Sequence, residues 1–117
     1  HYHAINALGY SLAVRGIRLT EARQLINKAL EFLPNEPDLV DSLAWVEFRS
    51  GNTPEALRLL QQAFKARPNA EIAAHLGEVL WTAGQRDEAN VIWNEGIKLN
   101  AKNDTLMETM QRLRDKP

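Results

Sequence analysis

The stretch Val40–Pro68, VDSLAWVEFRSGNTPEALRLLQQAFKARP, contains two apolar helical patterns that are separated by a short turn. Within the turn, Gly51 suits a left-handed residue that ends the first helix. Thr53 followed by Pro54 suits an N-cap and the first residue of the second helix. The stretch therefore predicts a hairpin of two antiparallel helices.

The hairpin pattern repeats along the chain. Ala22, Ala56 and Ala89 each follow a glutamate and lie 34 and 33 residues apart, and Gly51 and Gly84 lie 33 residues apart. The first helix of each unit is marked by the pairs Leu8-Gly9, Leu43-Ala44 and Leu76-Gly77. A period of about 34 residues is the signature of tetratricopeptide repeats.

The sequence therefore resembles the tetratricopeptide repeat (TPR) family. The resemblance implies an all-α fold in which helical hairpins stack into a superhelix, with three repeats and a C-terminal capping helix. We expect a single domain over 1–117, with repeats at about 2–36, 37–69 and 70–102 and the capping helix at about 104–115. Since the chain lacks an initiator Met and begins inside a helical pattern, we expect it to be a fragment of a longer protein.

Each hairpin has a predicted apolar core. Small residues at Gly9, Ala44 and Gly77 are expected to face Ala22, Ala56 and Ala89 and to let the two helices approach closely. The other predicted core residues are Ile5, Leu8, Leu12, Ile26, Ala29, Val40, Leu43, Leu60, Ala63, Ala73, Leu76, Leu80, Trp93, Gly96, Leu106, Met110 and Leu113. Thr20 is predicted to cap the second helix of the first unit.

The resemblance implies that the first helix of each hairpin lines a concave, partner-binding surface. The family positions carried over to this sequence are His3, Asn6, Tyr10, Asp38, Asp41, Ser42, Trp45, Phe48, Arg49, Glu71, His75, Glu78 and Trp81, with Ala13, Ala74 and Thr82 between them. Aromatic residues rimmed by charge are typical of binding hot spots.

The charges of this set favour one kind of partner. The set has four acids against the one base, Arg49, and of the residues that hold a peptide's C-terminal carboxylate in this family only Asn6 is matched. A protein or peptide segment with basic and apolar side chains therefore fits better than a free carboxylate. Phe48 and Trp81 also fit a second role, that of filling gaps between the first helices of neighbouring hairpins.

Composition narrows the class of function. The net charge is −1 and no cysteine is present. We therefore predict neither nucleic-acid binding nor direct membrane contact from this fragment, and no thiolate site. No phosphate loop, nucleophile motif or metal-ligand spacing occurs, so no enzyme activity, cofactor or metal is predicted. Glu47 stands where Leu12 and Leu80 occupy the other units, which predicts a local ion pair or solvent contact.

A narrower resemblance concerns three stretches. NALGYSLA (6–13), DSLAWVEFRSG (41–51) and AEIAAHLGEVLWTAGQRDEA (70–89) are similar to the last repeats of TPR lipoproteins of Gram-negative bacteria. That resemblance implies outer-membrane anchoring on the periplasmic side, and an adaptor role that links a C-terminal-processing protease to cell-wall hydrolases. Without it, the cytoplasm is the expected compartment.

The predicted function is a non-catalytic adaptor or scaffold module that binds a partner segment. Two alternatives stay open at this point. The chain lacks an N-terminal capping helix, so the uncovered face of the first unit could support self-association into a homo-oligomer or receive further repeats. The fragment could also be an accessory domain of an enzyme that lies outside it.

Overall fold

The computed structural model describes residues 2–115 of the chain. In this range it has seven helices and no strand, which confirms the all-α prediction. The helices are α1 (Tyr2–Arg15), α2 (Leu19–Phe32), α3 (Pro37–Arg49), α4 (Thr53–Ala66), α5 (Ala70–Thr82), α6 (Arg86–Leu99) and α7 (Asp104–Arg114). None of the helices in the described range is long and apolar enough to cross a membrane.

The chain divides into two compact units, with the boundary between Ala63 and Phe64 inside α4. In the first unit, α1 and α2 pair as a hairpin and α3 packs against both of them. In the second unit, α5 and α6 pair as a hairpin and α7 packs against both of them. The two units therefore share one arrangement, a hairpin followed by a helix that covers one of its sides.

The turns after α1, α3 and α5 are built in the same way. A glycine with positive φ follows each helix: Gly16 (69°), Gly51 (89°) and Gly84 (88°). At the second turn the N–H of Asn52 donates to the carbonyl oxygen of Glu47 at 2.8 Å, which closes the helix end. The left-handed conformation predicted for Gly51 is thus confirmed, and it is one that only glycine adopts without strain.

Two predicted caps are wrong. Helix α2 begins at Leu19 after Arg18, which has a left-handed conformation (φ 50°) and makes no side-chain cap hydrogen bond, so Thr20 lies within the first turn. The three turns have the same length, but two residues separate Gly16 from α2 whereas one residue separates Gly51 from α4. The additional residue shifts the start of α2 relative to the glycine. At α4 the carbonyl oxygen of Asn52 accepts the N–H of Ala56 at 3.0 Å, so Asn52 occupies the capping position rather than Thr53.

The close approach of the paired helices depends on the eighth residue of each first helix. A Cβ atom built on Gly77 would lie 1.9 Å from Nε1 of Trp93, and one built on Gly9 would lie 2.7 Å from Cγ1 of Ile26. Trp93 and Ile26 are each the eighth residue of their own helix. The side chains nearest to the glycines are therefore those of Trp93 and Ile26. The predicted neighbour Ala22 also lies close to Gly9, since its carbonyl oxygen would be 3.5 Å from the added Cβ.

Most of the predicted core is buried, including Trp93, which is fully buried and donates its indole N–H to the carbonyl oxygen of Ala74 at 3.4 Å. Leu8 is an exception, because half of its surface is exposed. Ile5, Leu43 and Leu113 are only partly buried. The inward face predicted for α1 is thus narrower than the apolar pattern of its sequence suggests.

Gly77→Ala is expected to destabilise the protein by about 2 kcal/mol or more, because the new methyl group overlaps the indole of Trp93. Adding Trp93→Phe opens space at this point, so the double variant should lose less free energy of unfolding than the two single changes added together. Urea unfolding followed by circular dichroism measures all three values.

The matched control is Gly84→Ala, which has open space around its Cβ position but a φ of 88°. Gly84→Ala should lower the free energy of unfolding through backbone strain, because alanine disfavours this φ. Trp93→Phe should therefore leave that cost unchanged, and additive behaviour of Gly77→Ala with Trp93→Phe would contradict the steric explanation.

Candidate functional site

The predicted binding residues of α1 belong to the first unit and differ in how far they are exposed. His3 is exposed, with its ring 4.2 Å from that of Tyr2 (centroid to centroid). Asn6 and Tyr10 are partly buried. Within the described range, Oδ1 of Asn6 is the buried side-chain polar atom that has no hydrogen-bond partner. A buried amide oxygen without a donor is uncommon, because an unpaired buried acceptor costs free energy in the folded protein.

The residues predicted on α3 divide into an exposed and a buried group. Asp38 and Arg49 are exposed, whereas Asp41 and Ser42 are buried. Trp45 is only 7% exposed, and its ring lies 5.1 Å from that of Phe48 at a tilt of 45°. Most of the Trp45 side chain is therefore packed within the protein, and its role in binding stays a prediction.

Because α1 and α3 pack together, their predicted residues form one candidate surface. Asn6 and Tyr10 are the fifth and ninth residues of α1, and Asp41 and Trp45 are the fifth and ninth residues of α3. We call the surface formed by His3, Asn6, Tyr10, Asp38, Asp41, Trp45 and Phe48 the α1–α3 surface.

Arg49, the one base of the predicted set, contacts the turn between α1 and α2. A Cβ atom built on Gly16 would lie 2.6 Å from Nη2 of Arg49. The guanidinium therefore lies over this glycine.

On α5, two of the predicted acids are engaged by α7. Glu71 accepts a hydrogen bond from Oγ1 of Thr105 at 2.8 Å. Glu78 forms an ion pair with Arg112, with an N–O distance of 2.5 Å. The negative charge predicted for the site from four acids and one base is thus partly neutralised in this unit by Arg112.

The other two predicted site residues of α5, His75 and Trp81, are also packed against the protein. His75 is buried, at 4% exposure. The ring of Trp81 stacks on that of Trp93 at 5.4 Å, and the guanidinium carbon of Arg86 lies 4.5 Å from the centroid of Trp81. Trp81 therefore packs against a core tryptophan and a surface arginine of α6, the second helix of its own hairpin. The role of filling a gap between neighbouring first helices stays a prediction.

Sequence reasoning missed Thr105 and Arg112 as partners of the predicted site. A signal was present, because each lies 34 residues after its partner, which is the repeat period. Residues one period apart lie at matching levels of successive helices, so a search for opposite charges at that spacing would have found the pair Glu78–Arg112.

Glu47 is held by an ion pair, which confirms one of its two predicted environments. Nε and Nη2 of Arg23 on α2 donate to the two carboxylate oxygens at 2.8 and 3.1 Å. Nδ2 of Asn52 donates to Oε1 of Glu47 at 2.7 Å. The hydrogen bonds from Arg23, with the help of Asn52, lower the pKa of the Glu47 carboxyl below its ordinary value. The carboxylate therefore links α3 to α2.

An apolar cleft of about 370 Å³ lies where α1 begins and α2 ends. Its lining residues are Tyr2, Ile5, Ala29, Phe32 and Leu33, and Phe32 is 77% exposed. At the matching place in the second unit, the cleft between α5 and α6 is lined in part by Glu71, Asn100 and Asn103 and is more polar. The cleft of the first unit is thus more apolar than the cleft of the second.

These features define a class: an all-α array of helical hairpins of similar length, closed by similar glycine turns. The tetratricopeptide repeat family model matches residues 42–101, which is half of the chain. The chain belongs to the tetratricopeptide repeat family. Domains of this family are protein–protein interaction modules and are typically non-catalytic.

Two individual proteins are similar to the chain. A TPR repeat-containing protein of Pseudomonas aeruginosa is 49% identical over 75 residues, which cover 64% of this chain. The chain spans only 13% of the length of that relative. The crystal structure of the Sgt2 TPR domain from Aspergillus fumigatus superposes with a TM-score of 0.81 at 18% identity, over 98% of this chain and 78% of that domain. This second similarity supports the fold.

Glu47→Gln is expected to lower the free energy of unfolding by about 1–2 kcal/mol at neutral pH, since it removes a charge-assisted pair that is mostly shielded from solvent. The folded state lowers the pKa of this carboxyl, so its stabilising contribution is complete above the ordinary glutamate pKa. The contribution is lost as the pH falls through the lowered, folded-state pKa.

Denaturant unfolding of the protein and the variant over a range of acidic pH measures this dependence. The difference between them should shrink as the pH falls, whereas the same substitution at the exposed Glu31 should have little effect at any pH. A difference for Glu47→Gln that stays constant from neutral to strongly acidic pH would exclude the ion pair as its cause.

Proposed function

We propose that this protein is a non-catalytic adaptor module that binds a segment of a partner protein on the α1–α3 surface. The single observation that carries the proposal is the amide oxygen of Asn6, which is buried and has no hydrogen-bond partner within the described range. A buried acceptor without a donor costs free energy in the unbound protein. A partner N–H placed there recovers that cost on binding.

The α1–α3 surface also favours a particular chemistry of partner. Asp38 is exposed at the start of α3 and His3 at the start of α1. Tyr10 and Phe48 are partly buried, so each offers part of an aromatic ring as contact area. A segment with lysine or arginine side chains and apolar residues supplies both the donor for Asn6 and the complementary charge for Asp38.

The second unit supports the choice of surface. On α5, Glu71 and Glu78 are bound by residues of α7, and Trp81 is covered by Arg86. These side chains would have to exchange an existing partner in order to bind a new one. Asn6 requires no such exchange.

Asn6→Ala is expected to lower the affinity for a partner segment about tenfold, the ratio that corresponds to one lost hydrogen bond of ordinary strength. The same change should leave the melting temperature unchanged or raise it, because it removes an unpartnered polar atom and introduces a better helix former. Loss of binding without loss of stability distinguishes a binding role from a structural one.

A random peptide display library, selected on the immobilised protein, supplies the probes, and fluorescence anisotropy measures their affinities. The matched control is Asn94→Ala on α6, which has the same effect on helix propensity at an exposed position. Selected peptides should be rich in basic and apolar residues. Equal affinity of the Asn6→Ala variant and the unchanged protein would refute the assignment of this surface.

The compartment stays a prediction. If the similarity to Gram-negative TPR lipoproteins extends to location, the intact protein is anchored at the outer membrane and the module faces the periplasm. Fractionation of the bacterium that encodes the intact protein tests this proposal, and recovery in the cytoplasmic fraction would contradict it.

A further inference from the structure

The eleventh residue of α3 departs from the repeat pattern, and so does the residue that it binds. Leucine is the eleventh residue of α1 and of α5, as Leu12 and Leu80, whereas α3 has Glu47. Its partner Arg23 is the fifth residue of α2, and the fifth residue of α4 is again a leucine, Leu57. Places where a sequence breaks its own local rule are typical of a functional constraint.

The ion pair of Arg23 and Glu47 is a directional contact that is largely shielded from solvent. The guanidinium reaches both carboxylate oxygens, at 2.8 and 3.1 Å, and the Glu47 side chain is 12% exposed. Burial of apolar surface does not depend on direction, whereas a two-pronged contact between arginine and a carboxylate fixes the mutual orientation of the two groups. The pair therefore fixes how α3 is rotated and shifted against α2.

The same guanidinium also holds the end of α3. Nη2 of Arg23 donates to Oγ of Ser50 at 3.1 Å, and Oγ of Ser50 donates to the carbonyl oxygen of Val46 at 2.7 Å. Nδ2 of Asn52, in the turn after α3, donates to Oε1 of Glu47 at 2.7 Å. One arginine of α2 is thus connected to the last turn of α3 and, through Glu47, to the turn that follows it.

This last turn of α3 carries part of the α1–α3 surface. Phe48 follows Glu47 directly in the helix, and its ring lies 5.1 Å from that of Trp45. Helix α3 packs against α1 as well as α2. A rotation of α3 that moved Glu47 would therefore also move the ring of Phe48 relative to Asn6 on α1.

We propose that Arg23 and Glu47 are positioning residues of the α1–α3 surface, because their ion pair holds α3 so that Phe48 and the buried oxygen of Asn6 form one preorganised surface for a partner segment. Neither residue of the pair belongs to that surface. A surface that is already in its bound arrangement loses less conformational freedom on binding, which raises affinity. This inference rests on the proposed binding function of the surface.

The test replaces both partners by leucine, Arg23→Leu with Glu47→Leu, which copies the residues at the matching positions of α4 and α5. Apolar replacement of both partners of a shielded ion pair is often neutral or stabilising, and the exposed Ser50 and Asn52 exchange their lost hydrogen bonds for water. The melting temperature should therefore not fall. The affinity for a partner segment should fall about two- to tenfold, the ratio that corresponds to ordering one side chain on binding.

The probes are display-selected peptides whose affinity falls with Asn6→Ala, so that each of them depends on the α1–α3 surface. Fluorescence anisotropy measures their affinities well below the melting temperature of every variant. The matched control is Glu55→Leu with Arg58→Leu, which removes an exposed ion pair within α4. That control should leave the affinity for the probes unchanged.

A charge swap provides the rescue. Glu47→Arg alone places two bases face to face and should lower the affinity for the probes. Adding Arg23→Glu restores an ion pair and places the acid near the start of α2 and the base near the end of α3, which both helix dipoles favour. The swapped variant should therefore bind the probes more tightly than Glu47→Arg alone and more tightly than the double-leucine variant.

Two results would overturn the inference and leave the proposed function intact. The first is a double-leucine variant that keeps its melting temperature and binds the probes as tightly as the unchanged protein. The second is a charge-swapped variant that binds no better than Glu47→Arg alone. A selection that yields no peptide weakened by Asn6→Ala is a different result, since it would refute the binding surface itself and with it any positioning of that surface.

Discussion

The fold depends on packing the first helix of each hairpin on two sides. One side approaches the second helix of the same hairpin so closely that glycine is required opposite a large residue, as Gly77 is opposite Trp93. The other side carries the residues at the third, sixth, seventh and tenth positions of the helix, which we call the stacking stripe. Its residues are buried on α3, α5 and α7 except for Leu43 and Leu113, which are partly buried. Isolated helices of this length are only marginally stable in water. Burial on both sides therefore supplies most of the free energy that stabilises these helices in the fold.

The repeat period places the residues for this two-sided packing at regular intervals in the sequence. A stretch of 34 residues returns the chain to the same level of the next hairpin, so the small eighth residue and the stripe recur without any long-range signal. For that reason the hairpin units, the positive φ of Gly51 and the buried position of Trp93 could be predicted from spacing alone. Local periodicity determines them, and local periodicity is readable from one sequence.

Features that depend on neighbouring helices could not be predicted in the same way. The sequence shows that Gly77 is small, but only the structure shows that it faces Trp93 rather than Ala89. Leu8 has the spacing of a core residue, yet it is exposed because nothing in the described range covers its side of α1. The start of α2 differs because two residues rather than one follow the turn glycine, and the second of them, Arg18, has a left-handed conformation.

The surroundings of the candidate site residues also depend on neighbouring helices and could not be predicted from spacing. Family positions on the first helices placed thirteen side chains in one predicted set, whereas the structure gives them different surroundings. Glu71 and Glu78 are bound by α7, Asp41, Ser42, Trp45 and His75 are buried, and Asn6 retains a buried oxygen without a donor. Sequence spacing predicts which residues share a face, but it does not predict which of them already have partners.

Polar contacts follow the same repeat as the apolar packing. Arg23 of α2 binds Glu47 of α3, and Asn90 of α6 accepts from Nε of Arg114 of α7 at 3.0 Å. Arg23 and Asn90 are each the fifth residue of their helix. Each second helix in these two examples therefore contacts the end of the next helix at the same level, which adds a specific polar link to the non-directional burial of the stripe.

Native-state hydrogen exchange on the chain as it stands tests most directly whether burial of the stacking stripe holds the first helices. The comparison is between α1 and α7, since both are terminal helices of the described range that pack against two others. Helix α7 is the shorter of the two, but its stripe is largely buried. The account predicts that the amides of α1 exchange faster than those of α7. Equal or stronger protection of α1 would show that the stripe is not what holds these helices.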